Sequence, residues 1–410
     1  IQQTPFQELL KSGVKGGKWF SLHDKCFSVR CLERAWEQVN SKGGCGGIDG
    51  VSLGTFGKHA EREIGKLHIE LMAGTYQPSQ VRRCWIPKAG SKEKRPLGIP
   101  TVRDRVVQMS LQMTLGPIFE IDFAEHSYGF RPNRGCKDAL REVTRLLELG
   151  YEWVVDADIK QYFDNVRHDL LMTKIGKKIA DGAILKLLEK FLKQGVMDSH
   201  KGWTPIKGTP QGAVISPLLS NIYLDGLDKE MQQQGYQMIR YADDFVILCE
   251  TQQEAEAALR KAGEWLLGKS LQLHPEKTRI VHHYDKGGFE FLGYRFEAGK
   301  RFPRKRSEKK LKDVIRMRTK RSNGHSMQEI IQSLNSTLRG WFGYFKHSYR
   351  TTFRSIDGWI RMRLRSIYRK RLNKRGRGGG MDHHKWTNAH FAKMGLFSLE
   401  EAHRVACQSR

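Results

Sequence analysis

The sequence predicts an α+β chain: an antiparallel sheet that carries paired carboxylates, followed by an all-helical, strongly basic region. Three observations predict it. First, Tyr241-Ala242-Asp243-Asp244 lies between Gln237-Met238-Ile239-Arg240 and Phe245-Val246-Ile247-Leu248-Cys249. The apolar, β-branched flanks read as two short strands, and the Ala-Asp-Asp tip as a tight turn. Second, Tyr151–Val155 reads as an apolar strand running into Asp156-Ala157-Asp158, with Asp158 85 residues before Asp243. Strand, helix, strand-turn-strand is the order of a split β-α-β unit. Third, residues 301–380 hold 24 Lys and Arg against 4 Asp and Glu, a net of +20, while the other 330 residues carry +7.

Composition narrows the classes. A chain of 410 residues is long enough for two or three domains, and 39% hydrophobic residues can build real cores. No stretch approaches the ~18 consecutive apolar residues of a membrane span. The chain opens on Ile1 rather than Met, which reads as a trimmed start, and shows no secretory signal there. Its seven cysteines are odd in number and include no C-x2-C pair. That argues against a disulfide framework and a cysteine zinc site, and it fits a reducing cytoplasm. Basic residues interleaved with aromatics point to a nucleic-acid surface, because such self-repulsion calls for a polyanion.

The elements follow in order. Residues 1–40 read as helical, with apolar spacing in Leu32–Val39. Ser41–Gly50 holds five glycines and Cys45, so it is either a mobile linker or a lid whose backbone approaches something closely. Residues 55–75 read as a helix. Arg82–Lys88 and Arg95–Pro100 read as a basic-edged hairpin, which suits a triphosphate. Helical periodicity runs from Arg103 to Phe119 and from Cys136 to Leu149. Gly208-Thr209-Pro210-Gln211-Gly212 precedes a helix over Leu218–Met231, a plausible seat for a phosphate or base. Leu271–His274 and Phe289–Tyr294 alternate as strands. From Ser307 the chain turns helical and basic. Arg361 and Arg365 share a helix face there and are candidates for phosphate contacts. Arg375–Gly380 reads as a linker. Asp382–Arg410 reads as a solvated helical tail, rather than a metal site built from His383, His384, His390 and His403.

The paired carboxylates carry the chemistry. Two carboxylates held so close repel unless a cation sits between them. Octahedral Mg2+ suits such a site, since it leaves room for waters and substrate phosphates. An isolated Asp-Asp turn is otherwise an ordinary solvated one. Asp156 and Asp158 lie two apart on a strand and point to the same face, so pattern alone leaves the third carboxylate open.

The ordered set of motifs resembles the group II intron-encoded reverse transcriptases, or maturases. The resemblance rests on Gly47–Gly50, Arg95–Pro100, Ser127–Pro132, Asp158-Ile159-Lys160 with Phe163-Asp164-Asn165, Gly208–Gly212, Tyr241–Asp244, Glu276-Lys277-Thr278 and Phe291–Tyr294. It implies a right-hand polymerase, with an N-terminal extension and lid loop over 1–80 and fingers and palm over 81–300. A helical thumb (domain X) follows over 301–375, then a short DNA-binding-like tail over 376–410. It implies Asp158, Asp243 and Asp244 as the catalytic, metal-binding triad, with Ile159 beside them at the metal and nucleotide. It places Arg82 and Lys88 at the incoming triphosphate and Gln211 near the nucleotide sugar and base. Phe163 falls where an aromatic excludes a 2′-hydroxyl. The implied cofactor is Mg2+, two ions, with Mn2+ as a substitute. The implied partners are an RNA template/DNA primer duplex, dNTPs, group II intron RNA and target DNA, with no membrane. The cysteine and histidine pattern of an endonuclease domain is missing, so target cleavage by this chain is not expected.

The function these readings imply is RNA-directed DNA synthesis by two-metal nucleotidyl transfer, together with assistance to intron splicing and mobility. Two rivals differ in class. One is a free-standing enzyme of the same type acting in host DNA repair or defence, which flanking intron sequence would separate. The other is an RNA-binding splicing factor without polymerase activity, which loss of a triad aspartate would have favoured.

Overall fold

The computed structural model describes Val14 and residues 17–87, 94–198, 201–203, 207–209, 212–376 and 378–408. The chain divides into two compact units, 1–280 and 281–410.

Two four-stranded sheets are built on the first unit, the last strand of one ending two residues past 280. Strands β1 (Val81–Pro87) and β2 (Lys94–Ile99) form the expected antiparallel hairpin. Strand β3 is Trp153–Asp158, β4 is Val196–Asp198 and β5 is Lys201–Trp203. One sheet has the order β2-β1-β4-β5. Strands β6 (Gln237–Tyr241), β7 (Asp244–Cys249) and β8 (Arg279–His282) join β3 in the other, ordered β6-β7-β3-β8. Every residue of β7 after Asp244 is fully buried. Helices Cys136–Glu148 and Gln252–Gly268 both pack on β7, and cover of this kind explains an unbroken apolar run instead of alternation.

The helix Val102–Glu120 runs one residue beyond its expected bounds at each end. Thr101 fixes its start, its hydroxyl accepting from Asp104 N at 3.1 Å. Two sequence expectations change in this unit. The single helix over 55–75 is two, Leu53–Gly57 and Ala60–Met72. Gly57 closes the first, where Phe56 packs on Trp36 with ring centroids 4.7 Å apart. Leu271–His274 forms one bridge, Ile159 to Leu273, and no strand. Pro275 follows and has no N–H with which to extend a ladder.

In the second unit, Phe289–Tyr294 is a hairpin rather than one strand. Strand β9 (Phe289–Phe291) turns at Leu292-Gly293, both at positive φ (47° and 84°), into β10 (Tyr294–Glu297), and β11 (Lys300–Pro303) completes the sheet. Two positive φ values are the type I′ requirement. Helices Lys305–Arg318, Met327–Phe345 and Thr351–Arg371 bury Ile315, Leu334, Leu338, Phe353 and Leu364 together. A capping box of Ser326 and Glu329 starts the middle one.

The C-terminal segment is not a solvated tail. Trp386, Phe391 and Leu399 belong to the same core. Asp357 accepts from Leu399 N at 3.1 Å, and Tyr368 stacks on Trp386 at 4.9 Å. Arg365 is likewise no phosphate ligand. It is buried, with Nε on Trp386 O at 2.8 Å and Nη2 on Asn388 Oδ1 at 2.9 Å. Carbonyls near a chain turn need donors, and this arginine supplies them. Among the described residues no helix is long and apolar enough to cross a membrane, and all seven cysteines are free thiols.

Candidate active site

Register builds the site. Strands β3 and β7 pair antiparallel with Asp158 opposite Asp244, and β6 pairs with β7 so that Tyr241 also faces Asp244. Directly opposed residues stand about 4.5–5.5 Å apart at Cβ. Two of the three expected carboxylates therefore meet at one end of a buried sheet. Asp243 is the second residue of the two-residue turn between β6 and β7. Asp156 lies opposite Val246, and its Oδ2 accepts from Arg279 Nη2 at 3.1 Å. Asp158 accepts instead from Lys277 Nζ. Lys277 is delivered by the segment beside Ile159, where His274 N donates to Asp158 O at 2.7 Å and Lys160 N to Gln272 O at 2.8 Å.

The Ala242 turn is held from behind. Ala242 has φ 61°, a left-handed conformation that a residue with a Cβ seldom adopts. Gly129 lies against it: a Cβ there would meet Ala242 N and sit 2.9 Å from Tyr241 C. Tyr128 N donates to Arg240 O at 2.9 Å, which fixes that approach. Arg240 itself is fully buried and paired with Asp228, Nε to Oδ1 at 2.7 Å. Burial works against its charge, but the Asp228 carboxylate outweighs burial and holds the guanidinium above its ordinary pKa. Sequence reasoning passed over Arg240 and Asp228. The available signal was an arginine inside an otherwise buried strand, which needs a partner.

The other expected residues separate. The Ile159 side chain belongs to the hydrophobic core, so only its main chain borders the carboxylates. Phe163 is half-buried, edge-on to Tyr162 at 5.2 Å. Its carbonyl accepts from Thr209 N at 2.8 Å, and Val166 O accepts from Gly208 N at 2.8 Å, which moors the Gly-Thr segment to the short helix Tyr162–Asn165 and the residue after it. Asp164 is raised above the usual carboxylate range by burial, against the pull of Arg83 and Lys207. Arg82 points to the glycine-rich loop, with Nη2 on Gly46 O at 2.8 Å, and Arg105 Nη2 holds Cys45 O at 2.7 Å. The loop thus makes a close backbone approach: a Cβ on Gly47 would lie 2.6 Å from Thr101 Cα. Lys88 and Gln211 lie outside the described residues.

A divalent cation fits the donor chemistry. Among the described residues no three His, Cys, Asp or Glu side chains are gathered in a metal-holding group. The carboxylates at this sheet end are nevertheless hard oxygen donors on rigid elements, which Mg2+ prefers. Asp158, 30% exposed, already draws the ammonium of Lys277.

Residues 86–296 match the family described as reverse transcriptase (RNA-dependent DNA polymerase). The chain belongs to the reverse transcriptase family. Residues 308–386 match the group II intron, maturase-specific domain, so this reverse transcriptase is of the group II intron-encoded type. It is similar to the protein YkfC of Escherichia coli K12, 36% identical over 64% of this chain and 79% of that one. It is also similar to the group II intron-encoded protein LtrA of Lactococcus lactis subsp. cremoris, 38% identical over 55% of this chain. The match spans 34% of LtrA's length. Among solved structures, telomerase from Candida albicans in complex with a fragment of telomeric RNA covers 77% of this chain and 64% of its own, at 13% identity and a TM-score of 0.45.

Proposed function

We propose that this reverse transcriptase extends a primer 3′-hydroxyl with dNTPs on an RNA template, at the sheet end formed by Asp158, Asp243 and Asp244. The observation that carries the reading is the register that sets Asp158 opposite Asp244, with Asp243 in the adjoining turn. In this reading residues 81–300 are fingers and palm and 1–80 an extension with the lid loop. Residues 301–375 are the helical thumb, and 376–410 a short tail. Two Mg2+ ions held by the three carboxylates, or Mn2+ in their place, would supply Lewis acidity for the 3′-hydroxyl and charge neutralisation for the leaving pyrophosphate.

The chain's own residues do the positioning. The main chain at Ile159 borders the nucleotide, and the Phe163 ring closes the space a 2′-hydroxyl needs. Arg82 would exchange the Gly46 carbonyl for a phosphate oxygen, a stronger, charge-assisted partner. Lys88 and Gln211 complete the set at the triphosphate and sugar. The basic 301–380 region binds group II intron RNA mainly through phosphates and shape, and target DNA in the same manner, which supports splicing and mobility.

The test is primer extension on an RNA template with dNTPs and Mg2+, comparing wild type with Asp243→Ala. Extension by the wild type that disappears in the variant is the expected result. Equal extension by both would remove the aspartates from the chemistry. Extension by neither, with tight, salt-sensitive RNA binding by both, would leave an RNA-binding splicing protein.

A further inference from the structure

We propose that Arg240 is a positioning residue, clamping Ala242 in its left-handed conformation and so aiming Asp243 and Asp244. The proposal rests on the polymerase reading above and adds a residue to it. A guanidinium offers five donors in a fixed planar fork, and here that fork ties three elements together. Nε and Nη2 take the two oxygens of Asp228 and Nη1 takes Asn221 Oδ1 at 3.1 Å, both on the helix Ser216–Gln233. Nη2 also reaches Ser127 Oγ at 2.8 Å, on the segment that presents Gly129. Nη1 donates to Ala242 O at 2.8 Å, inside the turn itself. Asn221 closes the circuit, with Nδ2 on Gly129 O at 2.8 Å.

Two arguments favour positioning over plain stability. A residue with a Cβ holds φ 61° only when its surroundings over-determine it. Two things do so here: the Gly129 backbone against one side of the turn, and the Arg240 donor on the Ala242 carbonyl. The second argument concerns the ion pair. A buried pair is an inefficient stabiliser, and well-packed apolar residues of similar volume often serve as well or better. An apolar pair cannot donate to Ala242 O. The donor, and not the charge, is the feature that requires arginine.

The double variant Arg240→Met with Asp228→Leu separates the two roles. It removes both charges together, so neither is left buried and unpaired. Melting temperature, Mn2+ binding to the protein alone by electron paramagnetic resonance, and steady-state kcat and KM for dNTP are measured. The expected result is a melting temperature close to wild type, with Mn2+ Kd raised and kcat lowered by about 10- to 100-fold and KM little changed. Arg240→Lys keeps the buried charge, but one ammonium cannot serve Asp228 and Ala242 O together, so the same losses are expected. This variant decides the case if the double variant does not fold. Wild-type Mn2+ affinity and kcat in either folded variant would overturn the proposal. So would activity that falls only in step with melting temperature while Mn2+ affinity holds. Asp243→Asn is the control: if it keeps Mn2+ binding and activity, the site reading has failed, independently of Arg240.

Discussion

Gly129→Ala asks whether the carboxylate turn is held in place from behind. The added Cβ would meet Ala242 N and lie 2.9 Å from Tyr241 C and 3.2 Å from Ala242 Cα. All three are backbone atoms, so no flexible side chain can swing aside. Gly129 is not among the residues at positive φ, so the cost is steric, with no conformational part. Overpacking of this kind costs about 1–3 kcal/mol. At about 2–4 °C per kcal/mol, the melting temperature falls measurably. Activity suffers more, because relief requires the turn to retreat, and a displacement near 1 Å at a reacting centre costs about 100-fold in rate. Single-nucleotide primer extension on an RNA template gives kcat, and thermal melting gives stability. Gly65→Ala is the control: nothing lies within 4 Å of its Cβ position in the helix Ala60–Met72. That substitution should stabilise by about 0.5–1 kcal/mol and leave kcat unchanged. A Gly129→Ala enzyme with wild-type kcat and melting temperature would refute the view that this backbone approach fixes the turn.

Three further outcomes are expected. Lys174 is drawn down to about 8 from its ordinary 10.5 by burial, against the pull of Asp225. Its contribution to stability therefore grows from about pH 8 to 10.5 and is lost as pH falls through 8; Lys174→Met should abolish that slope, read as melting-temperature differences from wild type across this range. Burial pushes the Cys26 and Cys249 thiols up to about 12, while Cys45, Cys84 and Cys407 are exposed. Alkylation of the native protein at mildly alkaline pH should mark the exposed three, with Cys26 and Cys249 modified only after unfolding, as mass spectrometry would show. Phe163→Ala should raise the kcat/KM for a ribonucleotide relative to its deoxy counterpart by about tenfold or more, and an unchanged ratio would take Phe163 out of sugar selection.

Local pattern made the elements legible, and long-range convergence hid the supports. The strands around Tyr241–Asp244 and the helix over Arg103–Phe119 follow from apolar runs and periodicity, which need only neighbours in sequence. Choosing Asp158 over Asp156 needed the motif series, because two residues two apart share a face. Register distinguishes them, since Asp158 faces Asp244 and Asp156 faces Val246. Arg240 could be read as a strand residue but not as a hub, because its Ser127 partner is 113 residues away. Lys277 stood in a recognised motif without a role, since its Asp158 partner is 119 residues away. Arg365 misled for the opposite reason. Helical spacing gave its face correctly, but the chain after Gly380 folds back over that face and buries it.

The Lys277–Asp158 contact has a consequence for how the site meets a cation. Like charges directly opposite on paired strands, as Asp158 and Asp244 are, destabilise a sheet by roughly 0.2–1 kcal/mol. A largely exposed ion pair returns about the same, roughly 0–1 kcal/mol after solvent screening. Lys277 is 60% exposed, so its ammonium offsets the repulsion without locking Asp158. A buried arginine at that position would have held the carboxylate permanently, as Arg240 holds Asp228. The two acidic pairs therefore differ in kind. Asp228 is spent on a fixed, buried support, whereas Asp158 keeps a weak and exchangeable partner at the edge of solvent. On the metal-site reading proposed above, a carboxylate that takes up a hydrated cation with each substrate needs the second arrangement, and the sheet supplies it where Asp158 faces Asp244.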